Sequence, residues 1–323
     1  MASTPPAPRS VRWRWLPPVV LLVAAFHFSP FGAALDRALF DAASRRPLQT
    51  TTVPEGSALV LVDQSTMDRL GREPYAMRWP FPRAAFAALI VGLERAGAAR
   101  IVVDFTFFDH SESAEQDLLL AGTAAAVPGV VLGRTARQGP VFWDEAYQRE
   151  HAPFFASTRT GDVEFKPDSD GIARRYTAPG SLAAAAFDPP AGGAGGLLRW
   201  HGGLEQIKAR GVPVVPAAHF IEAGLPILDR VSQRAPDFSP AALAAALARE
   251  PTLTGGAFAL VRGRTVFVGA NAAGTFDLKP LPVGRLEPGL LLHWTAWTNL
   301  AANAFITPVG PGFALATAAV VML

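Results

Sequence analysis

Short apolar runs alternate with helix-like segments through the first half of the chain. Residues 58–62, 100–104 and 129–133 are rich in valine, isoleucine and leucine, which predicts three strands. Between the first two runs, residues 84–96 place apolar side chains at the spacing of one buried helical stripe, namely Phe86, Leu89, Ile90 and Leu93. Strand–helix–strand order with unbroken apolar strands predicts a parallel sheet that is buried on both faces.

The second half of the chain has a looser pattern. Turn-forming residues 167–171 separate two alternating runs, 162–166 and 172–176, and this predicts a β-hairpin. Ser239 followed by Pro240 predicts the start of a helix that reaches about residue 249. Residues 265–269 predict another buried strand, and residues 289–305 predict a final helix. The predicted fold class is α/β: a mostly parallel sheet with flanking helices plus a β-hairpin.

Two apolar segments lie outside this α/β region. Residues 15–35 contain no charged side chain and are long enough for a transmembrane helix, which would tether the domain at its N-terminal side. Arg9, Arg12 and Arg14 precede this segment without any acidic residue. The positive-inside rule therefore predicts a cytoplasmic tail at 1–14 and an extracytoplasmic domain at 48–306. A cleaved signal peptide is the alternative. Residues 309–323 predict the start of a second, truncated transmembrane helix.

Composition narrows the classes of function. Half of the 323 residues are hydrophobic, so the chain can bury a large core. The net charge is only +2 and the basic residues are scattered, so we expect no nucleic-acid partner. The chain has no cysteine, which excludes disulfides and thiolate metal sites.

Several sequence blocks together resemble the type-2 CHASE domains, which lie on the outside of bacterial receptors. The first block has a strand ending in aspartate, a WPxPR element and a second strand ending in aspartate; its residues include Asp63, Trp79, Pro80, Arg83 and Asp104. The second block resembles the DxDGxxRR element of the family, with Asp168, Asp170, Gly171 and Arg174. The closing block resembles the end of the family's domain and contains Gly269, Gly274, Asp277 and His293.

The resemblance implies a receptor input module. It implies an inner-membrane protein whose periplasmic domain responds to an unknown small-molecule or protein stimulus and signals to a cytoplasmic cyclase, histidine kinase or Ser/Thr kinase. Such an output domain would lie beyond Leu323, so we expect this chain to be non-enzymatic, to need no cofactor and to act as a possible homodimer.

Asp63 and Asp104 are the strongest candidates for binding chemistry. Both are predicted at the carboxyl ends of parallel strands, where open α/β sheets form their ligand crevice. With Arg83 they could hold a ligand, or the three could form a structural network, since a guanidinium binds a carboxylate in two places. An extracytoplasmic metal-dependent hydrolase using both aspartates, and a secreted binding protein, remain alternative functions.

The other motifs have structural explanations. Asp168 begins a calcium-loop pattern, but Pro179 stands where the twelfth-position glutamate would be, so a tight turn is favoured. The glycines from Gly269 to Gly274 have phosphate-loop spacing without the following lysine, so close backbone packing is favoured. The histidines have no metal-binding spacing, and we predict no metal site.

Overall fold

The computed structural model describes residues 16–46, 55–107, 111, 113–135, 158–275 and 277–308. The chain forms two compact units, one made of residues 1–43 and 307–323 and the other of residues 44–306. The predicted cytoplasmic tail at 1–14 and the predicted second membrane segment at 309–323 lie outside the described residues.

The larger unit is an α/β domain. Its strands are β1 (Ser57–Val62), β2 (Arg100–Val103), β3 (Val130–Arg134), β4 (Arg159–Asp162), β5 (Arg175–Thr177), β6 (Gly195–Leu197), β7 (Val214–Pro216), β8 (Thr265–Ala270), β9 (Leu278–Leu281) and β10 (Gly284–Pro288). Six of them form a parallel sheet in the order β4–β3–β2–β8–β1–β7. The mostly parallel sheet predicted from the sequence is thereby confirmed.

The helices, numbered along the chain, are α1 (Leu16–His27), α2 (Pro30–Arg45), α3 (Gln64–Leu70), α4 (Arg83–Arg95), α5 (Ala114–Ala126), α6 (Leu182–Ala185), α7 (Leu204–Ala209), α8 (Ala218–Arg234), α9 (Pro240–Leu247), α10 (Gly256–Ala259) and α11 (Leu290–Ala302). The predicted starts of α4, α9 and α11 are correct to within one residue. The predicted buried stripe of α4 is confirmed, and the helix is buried on its other sides too, because neighbouring helices cover it.

Helices cover both faces of the sheet. On one face, α4, α5, α8 and α9 pack together over the alternate strand residues that include Val60, Val103 and Val268. On the other face, α11 packs on β8, where the ring of Trp297 meets that of Phe267 edge to face at 5.5 Å. This two-sided burial explains why the strands are apolar at every position and not at alternate ones.

Strand β8 lies between β1 and β2, although it follows them by more than 160 residues in the chain. Its register is continuous with both, pairing Val60 with Val268 on one side and Val103 with Val268 on the other. All six strands are parallel, so their carboxyl ends share one edge of the sheet. The insertion of β8 therefore separates the two strand-end aspartates, Asp63 and Asp104, by an intervening strand.

The β-hairpin predicted at 162–166 and 172–176 is wrong. Only Asp162 of the first run lies in a strand, because it is the last residue of β4, which pairs in parallel with β3. Strand β5 pairs with β6, not with the run before the turn. An antiparallel hairpin does occur later in the chain, between β9 and β10.

The smaller unit contains α1 and most of α2. The single helix predicted over 15–35 is interrupted at Ser29, whose hydroxyl donates to the Phe26 carbonyl at 2.6 Å and accepts from the Gly32 N–H at 3.0 Å. This is the side-chain cap of a new helix start. Within the described ranges, no helix combines the length and the apolar composition needed to cross a bilayer.

Candidate functional site

A cleft of about 270 Å³ opens at the carboxyl edge of the parallel sheet. Its walls come from the residue after β2, the segment after β4, the start of β9 and the first turn of α11. They are Asp104, Val163, Glu164, Phe165, Asp277, Lys279, Gly289 and His293. This is the edge at which open α/β sheets bind their ligands.

Asp104 stands at the back of the cleft. Its backbone N–H donates to the Val268 carbonyl at 2.8 Å, which fixes the residue at the end of the sheet. Its side chain is only 8% exposed, and within the described part of the chain its carboxylate accepts no hydrogen bond. Burial raises the pKa of Asp104 to about 7, against the opposing influence of the Lys279 charge.

Asp277 contributes a second carboxylate to the cleft. Its Oδ1 lies 3.8 Å from the Lys279 ammonium nitrogen, while its Oδ2 is buried and has no hydrogen-bond partner among the described residues. Gly289 makes this position possible, because a Cβ there would lie 2.6 Å from Asp277 Oδ1. Burial, and then the Asp104 charge, raise the pKa of Asp277 to about 8.

His293 faces Asp104 from the first turns of α11. Its Nε2 is 3.6 Å from Asp104 Oδ1, and its Nδ1 is 2.8 Å from the Tyr176 hydroxyl. The Tyr176 oxygen also accepts a hydrogen bond from the Ala183 N–H at 3.4 Å. Burial lowers the pKa of His293 to about 4, so the ring is neutral at physiological pH.

The described residues that line the cleft include two aspartates, Asp104 and Asp277, whose pKa values are both raised by burial. A neutral imidazole contributes no charge, and the Lys279 ammonium supplies one positive charge at the Asp277 side. Buried carboxylates with poor hydrogen bonding take up either protons or hydrogen-bond donors. The arrangement can therefore hold a donor-rich ligand, and ligand binding there would be coupled to protonation.

Asp63 and Arg83 lie outside this cleft, and the structure does not bring the proposed group of Asp63, Arg83 and Asp104 together. Asp63 is the N-cap of α3 and accepts from the Thr66 N–H and the Ser65 hydroxyl, each at 2.8 Å. Arg83 instead pairs with Asp117 on α5, with Nε and Oδ1 3.2 Å apart, and its guanidinium lies over the Phe107 ring. A hydrolytic site shared by Asp63 and Asp104 has no support in this geometry.

The Asp168–Arg174 element forms a turn held together by ion pairs. Arg174 donates two hydrogen bonds to the two carboxylate oxygens of Asp170 and one to Asp168, at 2.8, 2.8 and 2.9 Å. Gly171, at φ +80°, supplies the left-handed position between them. Because Arg174 is buried, this clamp fixes the segment that leads from β4 to β5. The predicted tight turn is confirmed.

Two of the remaining motif residues, Trp79 and Gly269, have packing roles in the core. Trp79 precedes Pro80 and contacts the rings of Phe81, Phe86 and Phe105, which joins the loop before α4 to the core. A Cβ on Gly269 would lie 2.8 Å from the Leu290 Cβ, so close packing of β8 against α11 explains that glycine. Gly274 has no atom within 4 Å of such a Cβ, and close packing does not explain it.

Sequence reasoning found parts of the cleft without relating them. Asp104 was a strand-end candidate, whereas Asp277 and His293 were known only as residues of the closing block. Lys279, Tyr176 and Asp117 were missed. All of these residues lie at different places in the sequence and show no local spacing. The signal that the sequence offers is that Asp277 and His293 belong to one recognisable block.

A metal site is not evident in the described residues, where no three histidine, aspartate or glutamate side chains converge on one point.

Comparison with known families gives one result. The family model described as the CHASE2 domain matches residues 19–323. No significant match to the chain was found among curated proteins or among solved structures.

Proposed function

The chain belongs to the CHASE2 family of extracellular sensory domains, and from this we propose that it is the periplasmic input module of an inner-membrane receptor. In this proposal a stimulus binds the α/β domain outside the cytoplasm. The resulting change passes through the membrane to a cytoplasmic cyclase, histidine kinase or Ser/Thr kinase. The chain itself is non-enzymatic in this proposal.

The observation that carries the proposal is the cleft at the carboxyl edge of the sheet. It contains a buried carboxylate, Asp104, for which the described residues provide no hydrogen-bond donor, and it is closed on one side by the first turn of α11. That helix carries His293 and is followed in sequence by the apolar residues 312–323. A ligand that moves the start of α11 would therefore act on the helix that leads towards the proposed second membrane segment.

Sequence supports the orientation. Arg9, Arg12 and Arg14 precede the apolar segment from Trp15 to Leu35, and short basic flanks remain on the cytoplasmic side of bacterial membranes. We propose that this segment anchors the chain and that signalling involves a homodimer, since motion of one or two helices is most simply read out between paired subunits.

A chimaera tests the proposal. The chain, extended after Leu323 by a short oligo-leucine segment, is fused to a cyclase catalytic domain in cells that lack their own cyclase. We expect Asp104→Asn to change the basal cyclic-nucleotide level by at least about threefold, because the variant alters the charge of the cleft. Asp229→Asn, an exposed carboxylate on α8, is the matched control and should leave that level unchanged. Equal output from the parent, Asp104→Asn and Asp277→Asn chimaeras would contradict the proposal.

A further inference from the structure

We propose that the cleft binds a small organic ammonium ion, whose N–H groups donate to the carboxylates of Asp104 and Asp277. The inference deepens the proposed function and rests on it, because it gives the chemical class of the stimulus received at that site.

Asp104 is placed to accept hydrogen bonds from a ligand. Its side chain is more than nine-tenths buried, lines the cleft and accepts no hydrogen bond in the described part of the chain. The His293 Nε2 atom is 3.6 Å from Asp104 Oδ1, which is beyond hydrogen-bonding distance. A buried carboxylate without donors is costly, so the site is arranged for a donor that comes from outside the chain.

The cleft offers several hydrogen-bond acceptors to a ligand. Asp277 Oδ2 is also buried without a partner among the described residues, so the two side chains supply several open acceptor positions. A primary ammonium has three N–H donors and one positive charge, as the lysine side chain does, and it bonds carboxylates more strongly than a neutral donor. Val163 and Phe165 line the same cleft and offer apolar contact to an organic substituent.

The charges that face the two aspartates favour a singly charged cation. On β9, Lys279 lies 3.8 Å from Asp277 and supplies one positive charge. On α11, His293 is neutral, and on β5, Tyr176 is un-ionised because burial raises its pKa. Asp162 and Glu164, at and after the end of β4, add negative charge at that side. A singly charged cation is attracted to this set, whereas a chelated divalent ion would need three converging ligands, which the described residues do not provide.

Proton release should accompany binding. Because burial raises the pKa values of Asp104 and Asp277 to about 7 and about 8, the empty cleft holds protons near neutral pH. An ammonium ion requires the ionised carboxylates and displaces those protons. Affinity should therefore increase as pH rises through this range, while the ammonium itself stays charged.

The test is calorimetric titration of the full 323-residue chain in mild detergent. The probes are n-propylammonium chloride, its neutral isostere 1-propanol, and the chlorides of potassium, calcium and magnesium. We expect n-propylammonium to bind and 1-propanol and the three metal ions not to bind. We expect affinity to be about tenfold higher at about pH 8.5 than at about pH 6.5, with protons released at the lower pH. Asp104→Asn and Asp277→Asn should each weaken binding by at least about tenfold, and the control Asp229→Asn should not.

Three results would overturn the inference. They are absence of ammonium binding to the parent, equal binding by both cleft variants and the parent, and calcium or magnesium binding that depends on Asp104. Each is separable from failure of the proposed function. A chimaera whose output responds to Asp104→Asn, in a chain that binds no ammonium, would reject the ligand class alone. Ammonium binding without any change of output would reject the receptor role alone.

Discussion

At the scale of single residues, three aspartates have three different roles set by burial and by the donors around them. Asp117 is 2% exposed and is compensated by Arg83 and by the Ser111 N–H. Asp63 is partly exposed and caps a helix start. Asp104 is buried, receives no hydrogen bond from the residues that the structure describes, and faces a cleft. The first two stabilise the fold, and the third is available for a ligand.

Removing Arg83 or Asp117 should lower the free energy of unfolding strongly. Arg83→Ala leaves the buried Asp117 carboxylate without its guanidinium partner, and Asp117→Ala removes the carboxylate that Arg83 binds, so each change should cost about 3 kcal/mol. The double variant should lose clearly less than the sum of the two single changes, because both residues belong to one interaction.

Asp63→Ala provides the comparison for the double-mutant cycle of Arg83 and Asp117. It removes only a helix cap, which costs about 1 kcal/mol, and its effect should add to that of Arg83→Ala. Denaturant unfolding of the set measures all of these terms. Coupling between Asp63 and Arg83 as large as that between Asp117 and Arg83 would show that the ion pair is assigned wrongly.

Stability should depend on pH in a way that identifies the cleft. Folding raises the pKa values of Asp104 and Asp277 from 3.8 to about 7 and about 8, so the folded state binds more protons than the unfolded state in this range. Their contribution is complete below the unfolded pKa of 3.8 and is lost progressively as pH rises from there to about 8, so the melting temperature should still be falling above about pH 6.5 and should level off near about pH 8.5.

The two buried histidines, His201 and His293, make a contribution to folding stability that changes with pH in the opposite direction, at lower pH. Burial lowers the pKa values of His201 and His293 from 6.5 to about 4, so their contribution is lost as pH falls through that interval. The two effects oppose each other between about pH 4 and pH 6.5, whereas above about pH 6.5 only the effect of the carboxyl groups remains, and thermal scans in that upper range isolate it. Asp277→Asn should flatten the decrease above about pH 6.5, and Asp229→Asn should not; a decrease that survives in Asp277→Asn would have another origin.

At the scale of elements, the closest helix packing depends on two glycines. A Cβ on Gly92 of α4 would overlap the Phe220 carbonyl of α8, and a Cβ on Gly224 of α8 would overlap the Ala88 carbonyl of α4. The two helices therefore approach along reciprocal glycine contacts. This crossing holds the helical layer together on one face of the sheet.

Gly92→Ala and Gly224→Ala should each destabilise the domain by about 2 kcal/mol or more, because backbone atoms must move to admit the methyl group. Gly274→Ala is the matched control, since a Cβ there meets no atom within 4 Å and the backbone needs no left-handed conformation. Chemical denaturation gives the three values. Gly92→Ala or Gly224→Ala as mild as the control would mean that the helices lie farther apart.

At the scale of the whole molecule, the proposed topology makes a separate prediction. A phosphatase that is active only outside the cytoplasm should be active when fused after Gly180, because Arg9, Arg12 and Arg14 hold the N-terminal tail inside. Replacing the three arginines by glutamate should reduce that activity severalfold. A cytoplasmic reporter that is active at the same position in the parent chain would reverse the orientation.

The sequence alone determined the elements whose signal is local. Apolar runs, helical periodicity and the turn formers around Gly171 predicted β1, β2, β3, α4, β8 and the Asp168–Arg174 turn, because each depends on neighbours a few residues apart. The blocks around Asp63, Arg174 and His293 were sufficient to identify the family.

Only the tertiary structure decided strand order and side-chain partners. In the sheet, β8 pairs with both β1 and β2, and these two strands do not pair with each other. The three strands have similar apolar sequences, so the sequence does not indicate which of them lies in the centre. The same long-range packing separates Asp63 from Asp104 and pairs Arg83 with Asp117. It also places Asp277 and His293 beside Asp104. A binding site made from separated elements is therefore a property of the fold, because its geometry exists only after distant segments have packed.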